Sequence, residues 1–180
     1  HLNVLFFAIT WFHIIINIYF SIAQMTQKTS YTGPKIALYQ PDIPQNTAAI
    51  IRTCSCLGVR LEIIEPCGFF LTDPRFKRVV MDYMDLSLIK FYKNYENFEK
   101  AKINKRIILA TTKAKEIYSN FKFKKDDTLL FGRESSGVPE RIHKNTKFKI
   151  KIPMVENKRS LNLATSAAII ISESLRQTLY

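Results

Sequence analysis

Cysteine is scarce in this chain, with three in 180 residues, and an odd number in a composition of intracellular type provides no disulfide framework. Cys54 and Cys56 lie two positions apart in a helical pattern, which turns them to different faces. After residue 24 the only histidine is His143, so no metal site is expected. A serine hydrolase built on Ser160 is excluded too, because it lacks both a placed histidine and a nucleophile elbow. Glycine is equally thin, at five residues, and G-x-G-x-x-G does not occur. That absence removes the dinucleotide fingerprint of a Rossmann oxidoreductase, and no Walker loop replaces it. Internal repeats, low-complexity linkers and an uninterrupted basic run are all missing.

Positive charge is present in excess. Lys and Arg number 27 against 15 Asp and Glu, a formal net charge of +12, and none of it precedes Lys28. A surface this basic suits a polyanion, RNA or DNA first and acidic lipid second. Dispersed lysines are also what an ordinary solvated surface carries, so composition alone leaves nucleic-acid binding open.

Residues 1–24 differ from the rest of the chain. Leu2 to Ile22 is apolar apart from Asn3, Thr10, His13, Asn17 and Ser21, and about 20 mostly apolar residues can span a bilayer. A transmembrane anchor is one reading. The favoured one is an upstream extension outside the functional protein, with Met25 as the expected start. Residues 1–34 are accordingly set apart as a hydrophobic N-terminal extension, and 35–180 form one domain. No membrane association is expected unless the extension is a genuine part of the protein, and the expected location is the cytoplasm.

From Lys35 the pattern alternates strand and helix. Strands are predicted at Lys35–Tyr39, Arg60–Ile64, Leu86–Tyr92, Arg106–Ala110 and Asp127–Phe131, with another running into Pro153. Helices are predicted at Thr47–Leu57, Glu96–Ala101 and Pro139–His143, with a basic helical segment from Asp73 through Arg78. A last, small-residue helix is predicted to open at Ser160 as N-cap. Repeated βα alternation gives the fold class: α/β, a mainly parallel sheet flanked by helices, with ligands at the C-terminal strand ends.

Three loops carry candidate chemistry. Gln40 to Thr47 is stiffened by Pro41 and Pro44, with Asn46 or Thr47 expected to cap the helix bearing Arg52. Arg52 is either a surface arginine in a salt bridge or a guanidinium aimed at a phosphate or developing oxyanion. Gly132-Arg133-Glu134-Ser135-Ser136-Gly137 follows an apolar strand, as a ligand loop does; Glu134 either serves a ligand, pairs with Arg133 or caps the next helix. The third loop joins Pro153 to Ser160-Leu161-Asn162-Leu163, where free backbone N–H groups at a helix start suit a polar or anionic group. His143 is expected to lie away from all three.

Several segments in one order resemble the SPOUT (α/β-knot, TrmH-like) methyltransferases. They are Pro44-Gln45-Asn46-Thr47 with Arg52, Ile63-Ile64-Glu65-Pro66, Ala110-Thr111-Thr112-Lys113, Phe131-Gly132-Arg133-Glu134, and Ile152-Pro153-Met154 with Arg159 to Leu163. Within that family the sequence is most similar to the tRNA (cytidine/uridine wobble-position) 2'-O-methyltransferase group. The resemblance implies a C-terminal trefoil knot that binds S-adenosylmethionine, a homodimer with its site at the subunit interface, tRNA as substrate, and no metal. It places Ala110, Gly132, Ile152, Ser160 and Leu161 at the cofactor, largely through backbone groups. Asn46, Arg52, Glu134, Ser160 and Asn162 fall at catalytic and substrate-orienting positions. The chain departs from the family pattern at Ala48-Ala49, where relatives often have Gly-Asn, and at Ser172, near which many carry an aromatic residue. The rival readings are a non-catalytic RNA-binding protein of this type and a ribose methyltransferase for another tRNA or rRNA position.

Overall fold

Short apolar runs, four or five residues each, supply the central strands of the computed structural model, which describes residues 33–70 and 89–180 together with Thr72, Pro74, Phe76 and Val80. The readings of residues 1–32 and 81–88 lie outside the described residues, as does most of the predicted helical segment from Asp73 to Arg78. Seven strands are described: β1 (Lys35–Tyr39), β2 (Leu61–Ile64), β3 (Ile89–Tyr92), β4 (Ile107–Ala110), β5 (Glu116–Ile117), β6 (Thr128–Phe131) and β7 (Phe148–Lys151). They form one sheet in the order β3-β2-β1-β6-β4-β7-β5. Every neighbouring pair is parallel, as βα alternation requires.

Helices cover both faces, and this explains why the central strands are apolar throughout instead of alternating. Ile36 and Leu38 of β1 face one core with Ile50, Ile51 and Cys54 of α1 (Pro44–Leu57) and Ala167, Ile170 and Ile171 of α4 (Leu163–Thr178). Ala37 and Tyr39 face the other, with Tyr95 and Phe98 of α2 (Tyr95–Ala101) and Ile142 of α3 (Glu140–Asn145). Small residues on α4, Ala164 and Ala167 among them, lie in the core that this helix shares with α1. The predicted separation of Cys54 and Cys56 holds: the first is buried and the second exposed.

Two helix starts correct the sequence reading. α1 begins at Pro44, not Thr47, after an extended Ile43 that offers no side-chain cap. Proline suits a first turn because its missing N–H has no intrahelical partner there, so Asn46 and Thr47 fall inside the helix and are buried. α4 is capped by Asn162, not Ser160: its side-chain oxygen accepts from the N–H groups of Ala164 and Thr165 at 2.9 and 3.2 Å. The other end of α1 follows its sequence signal, with Gly58 at φ 64° and Val59 N–H donating to Cys54 O at 2.8 Å. β5 has no counterpart in the sequence reading, since two residues are too few to show a period.

One charged pair lies inside this frame. Lys102, just past α2, donates to Glu62 of β2 with Nζ–O distances of 2.6 and 2.7 Å, and both side chains are almost fully covered. Desolvation by burial lowers the Lys102 pKa, while the hydrogen bond and charge of Glu62 oppose the shift. Removing one partner strands the other charge, which costs about 3–5 kcal/mol, whereas replacing both with apolar groups is often neutral. In urea titrations, Lys102→Met is therefore expected to lower the unfolding free energy by several kcal/mol. The Lys102→Met/Glu62→Leu double variant is expected to recover most of that loss.

Candidate active site

The C-terminal ends of β4, β6 and β7 lie side by side in the sheet, and a cavity of about 480 Å³ opens above them. That is within the range of about 300–1,000 Å³ typical of small-molecule sites. Its apolar wall includes Leu109, Phe131, Ile150 and Ile170. The three predicted loops converge on it: Ile43 and Asn46 from the first, Gly132 to Glu134 with Ser136 and Gly137 from the second, and Met154 with Ser160 to Asn162 from the third. Ala110 and Ile152 line it as well, so every residue expected at the cofactor borders this one space. Arg52 does not; it lies on the exposed side of α1 and is not among the lining residues.

The second loop owes its shape to two glycines. Arg133 and Gly137 exchange backbone hydrogen bonds of 3.0 and 2.9 Å across the turn, with Gly137 at φ 70°. A Cβ on Gly132 would stand 2.5 Å from the carbonyl carbon of Gly137, so the backbones approach closely there because no side chain intervenes.

Hydrogen bonds join the loops in a chain. Asn162 Nδ2 donates to Asn46 Oδ1 at 2.9 Å, and Asn46 Nδ2 donates to Glu134 Oε1 at 3.0 Å. Glu134 Oε2 accepts the backbone N–H of Asp42 at 2.8 Å. Asp42 in turn takes the Arg133 guanidinium on Oδ1, with Nε at 3.0 Å. Its Oδ2 accepts the Ser135 hydroxyl at 2.6 Å and the Ser135 N–H at 3.2 Å. Glu134 thus neither pairs with Arg133 nor caps a helix, the two bland readings of its sequence context; it holds Asn46 and the first loop. Because Asn162 uses its oxygen to cap α4 and its nitrogen to hold Asn46, the third loop is tied to the first by a single side chain.

These bonds also settle the local charge. The Arg133 hydrogen bond holds the Asp42 carboxyl below its ordinary value, outweighing the desolvation that pushes the other way. Arg133 is raised by the same bond. With Arg133 and Asp42 paired, the remaining lysines on the lining are Lys113 and Lys151. Thiol chemistry has no place here: burial pushes Cys54 up to about 12, and burial with the charge of Glu65 pushes Cys67 up to about 11. No group of three or more His, Cys, Asp or Glu side chains placed to hold a metal occurs among the described residues. No helix among them is long and apolar enough to cross a membrane.

Sequence reasoning missed two residues of the site. Asp42 gave no signal, since its partners Arg133 and Glu134 lie 91 and 92 residues away. His143, expected to lie away from the loops, instead lines the cavity from α3. The signal available was its position one short turn after the Gly132–Gly137 loop.

The parallel sheet, the cavity over its strand ends and the bonded loops define a chain of methyltransferase type. It matches the SpoU rRNA Methylase family over residues 34–172, and it belongs to that family. A tRNA (cytidine(34)-2'-O)-methyltransferase of Beijerinckia indica subsp. indica is 45% identical over 144 residues, 79% of this chain and 90% of that protein. A solved structure concerned with the 2-OH methylation of C/U34 on tRNA superposes with a TM-score of 0.77 at 34% identity, covering 82% of this chain and 97% of that one. The methyltransferase AviRb from Streptomyces viridochromogenes, in complex with the cofactor AdoMet, gives a TM-score of 0.73 at 21% identity, over 81% and 58% of the two chains. That last likeness bears on the fold alone.

The Asp42 clasp predicts an acid response. A carboxyl whose pKa is lower in the folded state contributes stability that is complete above its ordinary value of 3.8 and is lost as pH falls through the folded value. Thermal melts between pH 6 and pH 2.5 are expected to show a steeper acid loss for the wild type than for Asp42→Asn, which lacks the titrating group. Parallel curves would remove the clasp as a source of stability.

Proposed function

We propose that this chain transfers a methyl group from S-adenosylmethionine to the ribose 2'-hydroxyl of nucleotide 34, the cytidine or uridine at the wobble position of a tRNA. The convergence of the three family loops on one cavity carries this reading, supported by the near full-length likeness to proteins named for that reaction. When bound, S-adenosylmethionine supplies an electrophilic methyl group on a sulfonium. The residues present fit it: an apolar wall for its nucleoside, close-packed backbone at Gly132, and polar groups on Thr111, His143 and Ser160.

What remains for the protein is to place the hydroxyl in line with the donor and to handle one proton. Asn46, Glu134 and Asn162 act as a positioning set. Both Glu134 oxygens are already engaged, so it holds Asn46 and is not a free base. Ser160, Leu161, Ala110, Gly132 and Ile152 hold the cofactor, in part through backbone groups, from a C-terminal stretch threaded as a trefoil knot. A guanidinium stays protonated in a protein, so Arg52 stabilises the developing alkoxide or the adjoining phosphate while the proton leaves to phosphate or water.

The functional unit is a homodimer in the cytoplasm, and Arg52 serves the cavity of the partner subunit. Its place on the outer side of α1, away from its own chain's cavity, supports this arrangement. So do Ile43 and Leu161, large apolar residues that are 41% and 40% exposed beside the cavity.

Single-turnover transfer to tRNA, with the product mapped at nucleotide 34, tests the reaction. Arg52→Ala is expected to slow transfer about 10²-fold, comparable to losing one oxyanion donor, while S-adenosylmethionine still binds. Mixing Arg52→Ala subunits with Asn162→Ala subunits is expected to restore one working site per mixed dimer, because that site takes its arginine from one chain and its asparagine from the other. No recovery in mixed dimers, or near-normal transfer by Arg52→Ala alone, would overturn the shared site.

The net charge of +12 makes a separate demand. tRNA affinity is expected to fall steeply with salt, with a logarithmic slope of about −0.7 to −0.9 per phosphate contact. A flat response between low and physiological salt would contradict polyanion binding.

A further inference from the structure

His143 has a buried Nε2 with no hydrogen-bond partner among the described residues. Three other buried side-chain atoms, Glu62 Oε2, Arg106 Nε and Asp127 Oδ1, also lack a hydrogen bond, but each has an ionic partner. Lys102 Nζ lies 2.6 Å from Glu62 Oε2, and Arg106 Nε lies 3.0 Å from Asp127 Oδ1. His143 alone of the four has neither. An orphaned polar atom in a folded protein calls for an explanation, and this one belongs to a residue that lines the cavity.

The ring is held there by its backbone. His143 N–H donates to Pro139 O at 3.0 Å, and Ile142 beside it is buried in the second core. Arg141 ties α3 to α2 through a 2.9 Å bond to Glu96. α3 also comes directly after the Gly132–Gly137 loop, so the element that forms one cavity wall carries the imidazole as well. An imidazole nitrogen serves as donor or acceptor according to tautomer, so Nε2 can meet either kind of polar atom.

We infer that His143 is a binding residue of the cavity whose Nε2 completes its hydrogen bonding on the methyl donor. This rests on the reading of the cavity as an S-adenosylmethionine site. Burial of Nε2 suits a fixed bond to a small ligand and not proton exchange with water, so His143 acts in affinity and not as the base.

A residue of this kind has an unusual signature. Replacing an orphaned polar atom with an apolar group of similar size relieves the unbound fold while it weakens the complex. His143→Leu, measured in the full chain, is expected to melt at the same or a higher temperature than the wild type without ligand. Its affinity for S-adenosylmethionine by calorimetry is expected to fall roughly three- to tenfold, the worth of one hydrogen bond. KM for the donor is expected to rise in step, with kcat unchanged at saturation. His143→Gln, whose amide can reach near the same point, is expected to recover most of the affinity.

Titration with 5'-methylthioadenosine, which lacks the amino-acid end, locates the contact. A loss seen with it places Nε2 on the nucleoside; a loss confined to the full donor places it on the amino-acid end. Unchanged affinity in His143→Leu, or a lower melting temperature with affinity retained, overturns the inference and leaves His143 structural. A fall in kcat at saturation overturns it in favour of a proton-transfer role. A wild type that binds no S-adenosylmethionine defeats the proposed function itself, and the inference with it.

Discussion

Asn46 accepts from one loop and donates to another, and the site depends on that double engagement. Its Oδ1 takes the Asn162 amide and its Nδ2 reaches Glu134, so three segments far apart in sequence share a single buried side chain. An amide is suited to this place because it offers a donor and an acceptor at once, with no charge to desolvate. A carboxylate there would face Glu134 with like charge, and an apolar residue would leave both neighbours unpaired. Glu134 stays acceptable because two N–H donors meet it, and Asn162 because its remaining oxygen caps α4.

Charge is arranged to the same end. Asp42 absorbs Arg133 and fixes Ser135, so the wall nearest the bonded asparagines is electrically quiet. The unmatched positive charge is left at Lys113 and Lys151 on the lining and over the rest of the surface. A neutral positioning set beside a basic surround suits a reaction in which a polyanion must be drawn in while its hydroxyl is held by weaker, directional contacts.

Much of this architecture is legible in the sequence. Strand positions at β1, β2, β4 and β6 can be read to within a residue, because apolar runs bounded by Gly, Pro and charge leave little choice. The loops are legible as well, and their residues do meet in one cavity. Helix starts are not, for a local reason. Ser160 and Asn162 are both good caps, and what decides between them is the link to Asn46, 116 residues away. Asp42 and His143 escape for related reasons: one is defined by distant partners, the other by the lack of any. Arg52 is legible as a special residue but not as one outside its own chain's cavity, which only the three-dimensional arrangement reveals.

The parallel sheet has a consequence for how the molecule comes into being. β1 lies between β2 and β6, so a strand made among the first cannot acquire its second neighbour until Thr128–Phe131 has been synthesised. The Asn46–Asn162 bond waits longer still. Contacts at such separation carry a large loop-closure cost before any gain, which places the fold among slow-forming topologies. During synthesis, β1 and β2 can pair while the apolar edge that will receive β6 stands open, and that interval is when the chain is most exposed to association with its own kind.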